Sequence, residues 1–92
     1  MLIEYTNRFK KAYKRLHSNQ LADINNAIEA VIKNPEIGER KTGDLSRLWV
    51  YKFKMLGRLT LLGYTINNSG EVILTFIDFG PHENFYRDMK KK

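Results

Sequence analysis

The sequence predicts an α+β fold, a twisted antiparallel sheet with a helical hairpin packed on one face. Three observations predict it. Apolar residues recur at helical spacing across residues 9–32, the apolar period changes to two from Arg47 onward, and turn signals cut that second half into three strands. The 92 residues make a single domain, 1–92, because a second would leave neither half enough chain to bury a core.

Residues 2–5 are apolar-rich and β-compatible, enough for one strand. Phe9, Ala12, Tyr13 and Leu16 keep the i, i+3, i+4, i+7 spacing of an amphipathic helix. His17, Ser18 and Asn19 break that pattern and offer N-cap candidates. Leu21, Ile24, Ala27, Ile28, Val31 and Ile32 mark a second helix, which Asn34-Pro35 stops. So short a link makes the two helices an antiparallel hairpin. Residues 35–46 have loop composition. Beyond them Trp49, Tyr51 and Phe53 point one way, while Leu48, Val50, Lys52 and Lys54 point the other. The aromatic side is expected to pack under the hairpin. Leu56-Gly57 makes a turn, residues 58–66 a strand, residues 67–70 a second turn and residues 71–79 another strand. Gly80-Pro81 closes this meander, and residues 82–91 can form a short last helix. The predicted order is β-α-α-β-β-β-α.

Composition narrows the function. With 42% hydrophobic and 28% charged residues, the chain is an ordinary globular one. It has no cysteine, which excludes disulfide and thiolate chemistry. No apolar run approaches the roughly 20 residues that span a bilayer. The start, MLIEYTNRFKK, lacks the apolar h-region of a signal peptide, so a cytoplasmic location without membrane partners is expected. The net charge of +6 favours polyanionic partners. Arg8, Lys10, Lys11, Lys14 and Arg15 are crowded together, with no acid between Glu4 and Asp23. They make either a solvated helix face or an RNA-contact surface. Lys52, Lys54 and Arg58 form a second basic group, and Lys90, Lys91 and Lys92 read as a solvated tail.

Two stretches carry a specific resemblance: NPEIGERKTGDLSRLWVYKFKMLGRLTLLGY at 34–64 and DFGPHENFYRDMK at 78–90. With the element order, they resemble the RelE/ParE superfamily of type II toxin–antitoxin toxins. The resemblance implies the RelE/ParE-like fold and a cognate antitoxin as partner. For the ribonuclease branch it implies cleavage of messenger RNA in the ribosomal A site, without metal or cofactor, by attack of the messenger's own 2′-hydroxyl. Such chemistry needs a proton acceptor, a proton donor and cations against the developing phosphorane charge.

His82 is the first candidate for the proton work, since histidine titrates near neutrality. Ribonuclease-type members of the superfamily carry a functional histidine four residues before an aromatic, and Tyr86 supplies that aromatic here. The plainer readings are a capping or surface histidine and a tyrosine packed on the sheet. Lys52, Lys54 and Arg58 are expected to meet on one sheet surface, similar to the basic cluster of RelE-like toxins; the alternative is a solvated strand end. Arg87 is a further phosphate ligand, or the partner of Glu83 four residues earlier. Glu83 and Asp88 read as solvating acids, and His17 as incidental. No carboxylate–histidine cluster has metal-ligand spacing, so no metal is expected. The rivals are a ParE-like inhibitor of DNA gyrase, needing no catalytic residue, and a non-catalytic RNA-binding module. At the end of the last strand, Pro81-His82 stands where the best-known RelE toxins carry basic residues.

Overall fold

The structure is a computed structural model that describes residues 1–41, 43, 47–82 and 85. Its elements are β1 (Leu2–Tyr5), α1 (Asn7–Lys14), α2 (Ser18–Lys33), β2 (Glu39–Arg40), β3 (Trp49–Met55), β4 (Arg58–Ser69) and β5 (Glu71–Pro81). The strands form one five-stranded sheet in the order β1-β5-β4-β3-β2. The α+β class and the hairpin of helices agree with the sequence reading. The predicted last helix, over residues 82–91, lies almost wholly outside the described residues.

Two features of the sheet depart from expectation. It is mixed rather than antiparallel, because β1 runs parallel to β5, with Leu2 opposite Ile73 and Tyr5 opposite Phe76. The helical hairpin carries the chain from β1 across to β2 at the opposite edge, and β3 and β4 then return it to β5 beside β1. Residues 35–46, read as a loop, also contain β2, which pairs Glu39 with Val50 and Arg40 with Trp49. Tyr64 explains why the chain returns there. Its buried hydroxyl donates to the Pro35 carbonyl at 2.7 Å and accepts the Gly38 N–H at 3.1 Å. Burial pushes the Tyr64 phenol pKa up, and the Gly38 N–H offsets part of that shift.

The main core lies between the sheet and the hairpin. Phe9, Ile24, Ala27, Ile28 and Val31 from the helices meet Met55, Leu62, Tyr64, Leu74 and Phe76 from the strands. Trp49, Tyr51 and Phe53 pack against it, on the side their alternation predicts. Thr6 caps α1, accepting the Phe9 N–H at 3.1 Å and donating to the Ile77 carbonyl at 2.6 Å. One hydroxyl thereby fixes the start of α1 to the middle of β5. His17, one of the three N-cap candidates, is the N-cap residue of α2, and its backbone N–H donates to Gln20 Oε1 at 2.9 Å.

The turn joining β3 to β4 has positive φ at both central residues, 51° at Leu56 and 81° at Gly57. Such tight hairpin turns favour Asn-Gly, because a leucine in this region strains its own backbone. Asp23 on α2 holds the turn by accepting the Leu56 N–H at 2.9 Å. Leu56 is 52% exposed, so its side chain contributes little packing in return. Leu56→Asn is therefore expected to stabilise the chain by about 0.5–1 kcal/mol, seen as a higher urea midpoint at unchanged slope. A lower midpoint would mean that the packing of the Leu56 side chain outweighs its backbone strain.

Candidate nucleic-acid interface

Residues paired across adjacent strands share a face of the sheet. Lys52 pairs with Leu61 and Lys54 with Leu59, placing these four on the side opposite the helical hairpin. Both lysines are exposed. Arg58 pairs with Met55, a residue of the helix-side core. The expected meeting of three cations on one surface is thus corrected. The two-residue turn fixes the parity, and the register sends Arg58 to the face away from Lys52 and Lys54. Beside Lys54 stands Leu59 instead, 44% exposed.

His82 follows Pro81, the last residue of β5, which pairs with Thr60. One residue further along β4 is Leu59, the partner of Lys54. The backbones of Lys54, Leu59 and His82 therefore end up at the same end of three adjacent strands, roughly 5 Å apart from strand to strand. His82 is exposed there. Tyr86 and Arg87 lie outside the described residues.

Sequence reasoning missed an acid and a base beside this face. Because Glu39 pairs with Val50, it falls on the side of Lys52. A hydrogen bond from the Lys41 ammonium, then the charges of Lys41 and Lys52, hold the Glu39 carboxyl below its ordinary pKa. A depressed carboxyl is a weak proton acceptor near neutrality, so Glu39 acts here as a fixed negative charge beside Lys52. The two-residue strand that brings it there carries no alternation that a sequence could display.

The cations of α1 divide into two stripes. Arg8, Lys11 and Arg15 line a groove of about 320 Å³ with Asp78, Gly80, Pro81 and Phe85. Arg8 Nε lies 2.9 Å from the Asp78 carboxylate, which anchors this stripe to β5. Lys10 and Lys14, one turn apart, flank a second groove of about 330 Å³ floored by Tyr5, Phe9, Tyr13 and Ile28. The first stripe adjoins the strand end that leads to His82. The second flanks the other groove, and Lys11 and Lys14, three residues apart, lie side by side between the two.

The open side of the sheet has an apolar cluster of its own. Leu48, Val50, Leu61 and Phe85 are buried together, with Ile77 packed against them. Ile77 is the extra residue of a bulge, since Gly63 pairs with Asp78 while Tyr64 pairs with Phe76. No helix of the described residues is long and apolar enough to cross a membrane.

A family model described as the ParE-like toxin of type II bacterial toxin–antitoxin systems matches residues 3–90. No curated protein matches in sequence. Among solved structures, a double arginine-to-alanine mutant of the E. coli toxin RelE, in its free state, is similar to this chain. The similarity covers 98% of this chain and 95% of that one, with a TM-score of 0.68 at 17% identity. At that identity the likeness is one of fold.

Proposed function

Because the chain belongs to the ParE-like toxin family of type II bacterial toxin–antitoxin systems, we propose that it is a ribosome-dependent endoribonuclease cutting messenger RNA in the A site. Membership of such a system implies a cognate antitoxin. The observation that carries the nuclease reading is the pair of exposed lysines, Lys52 and Lys54, on the open sheet face, with His82 at the same strand end. In the reaction the 2′-oxygen of the messenger attacks the adjacent phosphorus and the bond to the 5′-oxygen breaks. The products are a 2′,3′-cyclic phosphate and a 5′-hydroxyl. One group takes the 2′-hydroxyl proton and another gives a proton to the leaving oxygen. His82 serves one of these steps and Tyr86 assists, orienting the messenger by stacking. Lys52 and Lys54 stabilise the phosphorane charge, with no metal in the step. Arg58 contributes only to the long-range field, and Arg87 remains a proposed phosphate ligand. The stripe of Arg8, Lys11 and Arg15, aided by Lys10 and Lys14, grips ribosomal RNA through phosphates, a contact that weakens with salt.

Inhibition of DNA gyrase is the second reading, favoured by the ParE-like description of the matching family and by the turning away of Arg58. Primer extension on a defined messenger in a reconstituted translation reaction separates the two. The expected result is discrete cuts at A-site codons that need ribosomes, with His82→Ala lowering the rate about 10²-fold. Cuts that survive the substitution move the proton work to another group. Folded wild-type protein that halts growth without cutting would overturn the nuclease reading and direct the search to gyrase.

A further inference from the structure

Gly63 lies in the middle of β4, and the space above it is taken. A Cβ built there would stand 2.6 Å from Phe85 Cζ and 3.3 Å from Leu48 Cδ1. No side chain tolerates the first of these distances, so this glycine is set by close approach and not by a special backbone conformation. Phe85 fills the vacated room. It is 3% exposed, with Leu48, Val50 and Leu61 around it.

The position of that ring fixes the path of the chain. β5 leaves the sheet at Pro81, opposite Thr60. Four residues later the Phe85 ring rests over Gly63, three residues further along β4 than Thr60. Three residues of extended strand span roughly 10 Å. The Phe85 ring therefore lies back over the open face, toward the middle of β4, three residues after His82. Phe85 also lines the groove that holds Arg8, Lys11 and Arg15. A single ring is thus common to the apolar cluster and the basic groove.

We propose that Phe85, seated on Gly63, is a positioning residue that sets His82 at the rim of the lysine face. Glycine at 63 and an aromatic at 85 form a matched pair, the seat and the ring that occupies it. The ring touches no reacting atom. It acts by denying His82 the alternative positions that a loose chain end would allow. The catalytic consequence rests on the nuclease reading, whereas the geometric content is measured apart from it.

The test compares wild type, Gly63→Ala, Phe85→Ala, Phe85→Leu and the double variant Gly63→Ala/Phe85→Leu, all in the full chain. Two readouts are taken, the NMR signals of the His82 imidazole and amide at fixed pH, and cleavage by ribosomes programmed with messenger. Signals of Tyr64 and Phe76 report the helix-side core. Gly63→Ala is expected to displace the His82 signals and lower kcat about 10²-fold, with KM for programmed ribosomes held within about twofold. Leucine lacks the ring tip that meets the new methyl, so the double variant should regain on the order of tenfold in rate and move the His82 signals back. Recovery by removing atoms is something a merely destabilising substitution would not show. Should Gly63→Ala fail to fold, Phe85→Ala carries the test, with displaced His82 signals expected and unchanged ones overturning the proposal. His82 signals at their wild-type positions in Gly63→Ala, or a double variant no better than Gly63→Ala alone, would also overturn it. If the wild type cuts nothing, the nuclease reading falls and the His82 signals alone decide the positioning role.

Discussion

Replacing Lys52 and Lys54 together by alanine is expected to lower single-turnover cleavage of a ribosome-bound messenger by roughly 10³-fold or more. The phosphorane gains negative charge that the messenger itself does not neutralise. Removing one preorganised donor from such a centre costs about 10²–10³ in rate, and two cations of the open face go here. Each is exposed, so the substitution leaves no buried hole and stability should stay within about 0.5 kcal/mol. Glu39 keeps its hydrogen bond from Lys41 when Lys52 is gone. Arg58→Ala is the matched control. It removes one positive charge, half of what the lysine pair loses, from the other side of the sheet, where salt screens it over about 8 Å, and the rate should barely move. A lysine double variant that cuts within about threefold of wild type would sink the assignment. An Arg58 variant as damaging as the lysine pair would show that this arginine reaches round the hairpin end to the messenger.

The strength of that control comes from a register the sequence contained but the alternation rule alone did not use. A two-residue turn at Leu56-Gly57 makes Met55 and Arg58 partners, and Met55 shares the parity of Tyr51 and Phe53. Counting across the turn places Arg58 among the aromatics; counting only its distance from Lys54 does not. Other features had no such signal. Four residues of β1 say that a strand exists and nothing about its direction, because alternation looks the same in parallel and antiparallel neighbours. β2 is shorter than any period. Gly63 does announce something, since glycine inside a strand marks a bulge or a close approach. Both are present at that point, yet nothing local names Phe85, more than twenty residues away, as the occupant. The helices and the aromatic face of β3 were legible because burial there follows the period of one element. The open face was only half legible, because its character depends on which distant segments fold back over it.

Phe76→Ala should all but abolish the stability of the isolated chain. Phe76 is fully buried in the middle of β5, the strand that joins β1 to β4. Its ring centroid lies 5.4 Å from that of Tyr5, 5.9 Å from Phe9 and 6.1 Å from Tyr64. One ring thus ties both neighbouring strands to α1. Truncating a core phenylalanine costs about 3–5 kcal/mol, against a total of roughly 5–15 kcal/mol for a domain. A chain of this size lies toward the lower end of that range, since it buries a smaller share of its surface. The midpoint of thermal unfolding should therefore fall by about 15–30 °C. Antitoxin that binds only the folded toxin opposes the loss by mass action, contributing about 4 kcal/mol when present at 1,000 times its Kd. The purified variant should then melt early and broadly alone, and cooperatively near the wild-type temperature in complex. Phe76→Leu, which keeps most of the volume, should give an intermediate loss. If the free alanine variant melts within about 5 °C of wild type, Phe76 does not bind these elements together, and the stability of the sheet must come from the hairpin packed on Leu62 and Leu74.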